Sequence, residues 1–152
     1  MLRDNLNDAL KVALKTQDKS SLGTIRLILA SIKDQDISVR VDGNLEGVSD
    51  AQILSLLQTM VKQRQESIRL YEDGGRHDLA DQEKNEIRVI QRFMPQQLGD
   101  EEVESAIKDA IQKIDAKSLK DMGKAMGYLK ERYPGQIDFS KASIVVRNIL
   151  EN

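Results

Sequence analysis

Apolar residues recur every three or four positions in seven separate stretches of this chain, a spacing that favours an all-α fold. Leu2, Leu6 and Leu10, with Ala13 and Leu14, predict a first helix ending near Thr16 to Lys19; Leu22, Ile25, Leu29 and Ile32 predict a second. Ser49 and Gln52 form a capping-box pattern ahead of Ile53, Leu57, Met60, Val61 and Ile68, a third helix stopped by Gly74-Gly75. A fourth begins near Asp78, carries Leu79, Ile87, Ile90, Phe93 and Met94, and ends at Pro95. Beyond Gly99, the acidic residues Asp100, Glu101 and Glu102 suit a helix N-terminus and lead into Val103, Ile107, Ala110, Ile111 and Ile114. Leu119 to Arg132 and Phe139 to Leu150 complete the set, the last capped by Asp138.

Between the second and third helices, Asp36 to Gly47 holds two glycines and no helical stripe, which predicts a mobile loop with room for a short hairpin at Asp42-Gly43. Met94 to Gly99 is the expected domain junction. It separates an N-terminal four-helix bundle, residues 1–94, from a C-terminal three-helix domain, residues 95–152, with a single seven-helix body as the alternative. At 152 residues the chain can bury a sizeable core in either arrangement.

The absence of cysteine excludes disulfides, iron–sulfur clusters, thiolate zinc sites and cysteine nucleophiles, and fits a reducing cytosol. Met1 to Leu10 mixes acids with apolar residues and resembles neither a signal peptide nor a transit peptide, and no run reaches the length of a membrane span. A cytoplasmic location is expected. With 23 basic against 25 acidic residues the chain lacks the positive surplus of a general nucleic-acid coat, so DNA is not an expected partner and any RNA contact must use a local patch. Tyr71, Phe93, Tyr128, Tyr133 and Phe139 are too scattered for a base-stacking platform.

The stretch from Ser118 to Arg132 supplies that patch. Ser118 and Asp121 read as a capping box, and Tyr133-Pro134-Gly135 as a stop. Met122, Met126 and Leu129 share one side, with Leu119 and Ala125 at its margins, while Lys120, Gly123, Lys124, Gly127 and Lys130 share the other. Each glycine costs about 1 kcal/mol inside a helix, and the Leu/Met stripe does not explain either. Glycines let a second backbone approach closely: either a neighbouring helix packs there, or the lysines select a phosphate backbone.

Four charged residues fall on apolar faces of the first half. Arg26 lies between Leu22 and Leu29, Arg64 between Leu57, Met60 and Ile68, and Glu83 and Glu86 on the side of Leu79, Ile90 and Phe93. Buried charges require partners, so these predict an Arg–Glu network joining helices two, three and four. Its functional version would be a polar pocket with a carboxylate of raised pKa. The one histidine, His77, stands four residues from Asp81, too few ligands for a metal site, and reads as a surface residue near a helix start. Arg76, beside it, could join the helix N-terminus in holding an anion. No serine or threonine has an evident base, and no glycine-rich strand–loop–helix motif is present for a nucleotide, so no catalytic residue, cofactor or metal is expected.

Taken together, Val61-Lys62-Gln63-Arg64-Gln65-Glu66-Ser67, Gly75-Arg76-His77-Asp78-Leu79, Glu83 and Glu86, Phe93-Met94-Pro95-Gln96-Gln97-Leu98, and Asp121-Met122-Gly123-Lys124-Ala125-Met126-Gly127 closely resemble the GatB/YqeY family, specifically its free-standing YqeY-like members. The resemblance covers essentially the whole chain. It implies two unlike helical bundles, four helices then three, and kinship with the C-terminal tail of the B subunit of the glutamine-dependent amidotransferase that corrects Glu-tRNA(Gln) and Asp-tRNA(Asn). In that enzyme the tail helps to hold tRNA while ATP-dependent activation occurs in a separate core. The resemblance therefore implies a non-catalytic module binding tRNA or an amidotransferase-like, tRNA-handling complex, with Lys120, Lys124 and Lys130 as RNA contacts. A protein-only adaptor and an accessory component of a carbon–nitrogen ligase are the alternatives. Downstream, Gly135-Gln136-Ile137-Asp138-Phe139-Ser140 departs from the Gly, Ala-Asn-Pro continuation usual in tail domains, which puts a shared docking mode in doubt.

Overall fold

The computed structural model describes residues 1–152 and is all-helical: α1 (Leu2–Lys15), α2 (Lys19–Val41), α3 (Asp50–Asp73), α4 (His77–Gln91), α5 (Asp100–Lys113), α6 (Met122–Arg132) and α7 (Phe139–Glu151), with one 3-10 turn at Leu119–Asp121. Local chemistry sets most of the ends. Asp18 caps α2 by accepting from the Ser21 N–H, and Asp138 caps α7 by accepting from Ser140 and Lys141. Ser49 and Gln52 form a complete capping box at α3. That helix stops at Gly74, and Gly75 takes φ 72°, a left-handed conformation in which the Arg76 N–H bonds back to the Tyr71 carbonyl.

The helices gather into two compact units, Met1–Met94 and Pro95–Asn152. In the first, α3 pairs extensively with α4, and α2 packs against both α1 and α4. Leu6, Ile28, Ile32, Ile53, Leu57 and Ile90 form its fully buried centre, with a smaller cluster of Ala13, Ile25 and Val89 beside it. In the second unit Ile107, Ala110, Ala125, Leu129, Ile137 and Val146 fill the space between α5, α6 and α7. Its entry strap is held by backbone and amide bonds: Leu98 N–H to the Gln136 carbonyl, and the Gln97 amide to the Gly135 carbonyl.

Two local expectations need correction. The segment from Asp36 to Gly47 is not one loop, because α2 continues to Val41, and no hairpin forms at Asp42-Gly43. The reason is tertiary. Asp36 lies one turn beyond buried Ile32, and the Arg3 guanidinium grips its carboxylate with two bonds of 2.7 and 2.6 Å while donating a third to the Val48 carbonyl at 2.9 Å. The Val48 N–H donates to the same carboxylate at 2.8 Å, so α1, α2 and the entry to α3 meet at one ion pair. Gly47, at φ 90°, lies so close that a Cβ there would stand 2.5 Å from an Asp36 oxygen. The second correction concerns Ser118, whose side chain makes no capping bond. Asp121 turns back to accept from the Lys117 N–H at 2.9 Å and is also held ionised by the Ser118 N–H, so only the returning half of the box is present, and a 3-10 turn precedes α6.

Candidate functional site

On α6, Ala125 and Leu129 are fully buried, Met126 nearly so, and Met122 half-buried, which fixes the inward face of the helix. The opposite arc carries Gly123, Gly127, Lys124 and Lys130, all exposed, with Glu131 among them. A Cβ added at Gly123 or Gly127 would meet no atom within 4 Å, so neither glycine makes room for a neighbouring helix of its own unit. Lys120 is also exposed but belongs to the 3-10 turn rather than to the regular helical face. Lys117 pairs with Asp115 at 3.3 Å, whereas Lys120, Lys124 and Lys130 form no ion pair within 4 Å, Lys124 only helping from a distance to keep Asp121 ionised. The result is an open, glycine-floored, lysine-flanked surface. At the margin of the same helix Tyr128 donates its hydroxyl to Asp109, and the Arg132 guanidinium sits 5.9 Å from the Tyr128 ring.

The charged residues of the first unit divide. Arg64 is 14% exposed, donates from Nε to Glu86 at 2.8 Å and from a terminal nitrogen to the Met60 carbonyl at 3.2 Å, and lies 3.9 Å from Glu83. Burial, and then the neighbouring Glu86 charge, push the Glu83 carboxyl above its ordinary value, against the opposing pull of Arg64. The arrangement clamps α3 to α4. Arg26 takes no part: it is exposed, and neither Glu83 nor Glu86 pairs with it. The inward face of α2 is Ser21, Thr24, Ile25, Ile28 and Ile32, so Ile25 and Ile32 of the expected stripe are buried while Leu22 and Leu29 lie partly buried at its margin. Two hydroxyls hide that face in the sequence. Buried Thr24 donates to the Ser20 carbonyl and buried Ser21 accepts from Arg92, so both are satisfied in the interior.

His77 is the exposed first residue of α4. Arg76 is already engaged by Asp78 at 3.2 Å, which removes the charge an anion there would need. No three histidine, aspartate or glutamate side chains come together as a metal-binding group. An open cleft of about 420 Å³ between α2 and α3 is lined by amides and hydroxyls, among them Gln35, Ser38 and Thr59, together with apolar Val39, Val48 and Leu56, with no titratable group to move a proton. The Arg3–Asp36 pair was missed from the sequence. Its one signal was Asp36 continuing the Ile28, Ile32 stripe at four-residue spacing.

Comparison with known proteins adds relatives named "Altered inheritance of mitochondria protein 41, mitochondrial". The one from Pyrenophora tritici-repentis is 25% identical over 129 residues, covering 84% of this chain and 68% of the relative. That from Vanderwaltozyma polyspora is 27% identical over 149 residues, covering 92% and 78%. The Eremothecium gossypii protein reaches 38% over 90 residues, covering 59% and 47%. These names overturn the cytoplasmic expectation. The expectation rested on missing cysteine, on missing membrane spans and on a Met1 to Leu10 stretch unlike a signal or transit peptide; the first two do not distinguish one reducing aqueous compartment from another. No helix here is long and apolar enough to cross a membrane. Residues 3–150 match the family described as Yqey-like protein, and the chain belongs to that family.

Proposed function

We propose that this chain is a non-catalytic helical module of two unlike bundles, four helices over residues 1–94 and three over 95–152, which docks tRNA or a tRNA-handling complex through the Gly123/Gly127 face of α6. One observation carries the reading: two glycines in an exposed helix face whose Cβ positions are empty, flanked by exposed lysines that form no direct ion pair. Each glycine weakens the helix by about 1 kcal/mol relative to alanine. No packing inside its own unit offsets that loss, which favours a surface from outside as the reason for a bare backbone there. Lys120, Lys124 and Lys130 suit that surface to a phosphate backbone, and the resemblance of Met122 to Met126 to the amidotransferase tail favours tRNA.

Titration of the protein with bulk deacylated tRNA at low and moderate salt tests this, using the parent and a Lys120→Ala/Lys124→Ala/Lys130→Ala variant. The expected result is saturable binding that weakens with salt, each lost phosphate contact reducing the salt slope by about 1, and a large drop in the variant. Equal binding by both proteins, or none by either, rejects the face as an RNA site. Glu131, on the same arc, favours a second reading in which a partner helix docks on the glycines through a protein-only contact. Binding of a protein partner that survives high salt and ignores RNA would select that reading.

A further inference from the structure

The face of α2 turned away from the core has an order that the clamp and the glycine face leave unexplained. Opposite Ile25, Ile28 and Ile32, the helix presents Gly23, Leu27, Ala30, Asp34, Ile37 and Val41, spaced alternately four and three residues apart. Leu27 is 49% exposed, Ile37 52% and Val41 87%, and a Cβ at Gly23 would touch nothing within 4 Å. Along one edge of this seam run Lys19, Arg26, Lys33 and Arg40, one every seven residues, all exposed and none ion-paired. Arg40 only helps, from a distance, to keep Asp36 ionised. Ser31 and Ser38 occupy the other edge.

From this geometry we infer that the outer face of α2 docks an acidic amphipathic helix of a partner protein. A seam with a seven-residue repeat drifts slowly around a straight helix and stays in register with a second helix crossing at about +20°. Small Gly23 and Ala30 alternate with larger Leu27 and Ile37, which suits side chains inserting between backbones. The basic ridge occupies the position that chooses partners in paired helices, and it calls for carboxylates facing it. Asp34, alone in the seam, calls for an amide or a cation opposite and fixes the register. A second copy of this chain fits badly. A parallel pair would set Asp34 against Asp34, and an antiparallel pair would set ridge against ridge. RNA would make no use of Leu27, Ile37 and Val41.

The test is a synthetic peptide about three heptads long, with Leu and Ile at its seam, Glu on both flanks and one Asn at the central seam position. A companion peptide carries Lys in place of Glu. Each is titrated by fluorescence anisotropy against the full chain. Saturable binding of the Glu peptide alone is expected, weakened at least about tenfold both by Arg26→Glu/Lys33→Glu and by Leu27→Asp/Ile37→Asp, and unchanged by the α6 lysine variant. Arg26→Ala/Lys33→Ala repeats the ridge test without charge reversal, and helix content by circular dichroism verifies that the variants fold. Equal affinity for both peptides, no binding, or insensitivity to the seam variant overturns the inference. So does binding of anionic phosphatidylserine vesicles, or concentration-dependent dimerisation, that is lost in the same variants, because either outcome assigns the face to a different occupant.

Discussion

Arg64 and Arg26 stand on neighbouring helices of one unit, each beside apolar residues in the sequence, and the fold treats them in opposite ways. Arg64 is enclosed between α3 and α4 with two glutamates and a backbone carbonyl around it. Arg26 is in solvent on α2, a member of a row with no partner in the chain. Arg3, gripping Asp36 and Val48, belongs with the first kind; Lys120, Lys124 and Lys130 belong with the second. A cation with carboxylates around it is structural, because its interactions are already satisfied. A row of cations without carboxylates is where an outside partner gains most.

The sharpest way to break this division is Arg64→Leu. It should destabilise the protein by about 3 kcal/mol, because Glu83 and Glu86 would be left together without their counter-charge. Arg26→Leu should stay within about 0.5 kcal/mol, as surface substitutions do. Urea denaturation of the two variants reads both numbers, and similar losses would erase the distinction.

Next in size is the Arg3–Asp36 junction. Gly47→Ala should lose about 2 kcal/mol, since an L-residue is strained at positive φ and its Cβ would press on the ion pair. Asp36→Asn should lose about 1–2 kcal/mol near neutral pH by weakening charge-assisted bonds. The Arg3 bonds hold the folded Asp36 pKa down at about 2, against an ordinary 3.8. A depressed carboxylate pKa contributes stability above the unfolded value and loses it as pH falls through the folded one. The gap between parent and Asp36→Asn should therefore close between about pH 4 and pH 2 in thermal melts.

Smaller, and opposite in sign, is the response of the open face. Gly123→Ala and Gly127→Ala should each raise stability by about 0.5–1 kcal/mol, because a methyl there meets nothing and the helix gains propensity. If the face docks a backbone, the same variants should bind more weakly despite being more stable, a pairing that melting and binding measurements expose together. Smallest is Glu83→Gln, expected within about 0.5 kcal/mol at neutral pH. Its carboxyl is held above its ordinary pKa, so the stability it contributes is present when it is protonated and fades as pH rises through the folded value. An amide reproduces the protonated form, and a large loss would show that Glu83 carries the Arg64 clamp after all.

Helix positions were legible because their causes lie within a few residues. The Ser49–Gln52 box, the Gly74-Gly75 stop and the Asp138 cap are all local, and each forms. Ser118 shows the limit of the same logic. The pattern is half realised: the Asp121 side chain turns back to the Lys117 and Ser118 N–H groups, but the Ser118 hydroxyl makes no capping bond and the turn tightens to 3-10. The Gly–Lys face of α6 was legible as a pattern, though only the structure excluded a neighbouring helix of its own unit from covering it.

Periodicity, caps and breakers thus determined that this chain is helical and where most of its helices begin and end, because backbone hydrogen bonding in a helix is satisfied between residues four apart. The tertiary structure decided which side of each helix faces inward, and with it the fate of every charged residue. α2 turns Ser21 and Thr24 fully inward and leaves Leu22 only partly buried at the margin, since hydroxyls bonded to Arg92 and to the Ser20 carbonyl can be buried, and that rotation puts Arg26 and Leu27 outside. Asp36 extends α2 past its expected end because Arg3, 33 residues away in the chain, is waiting for its carboxylate. Burial and pairing depend on what another helix brings to the same place, and no spacing within a single helix contains that information.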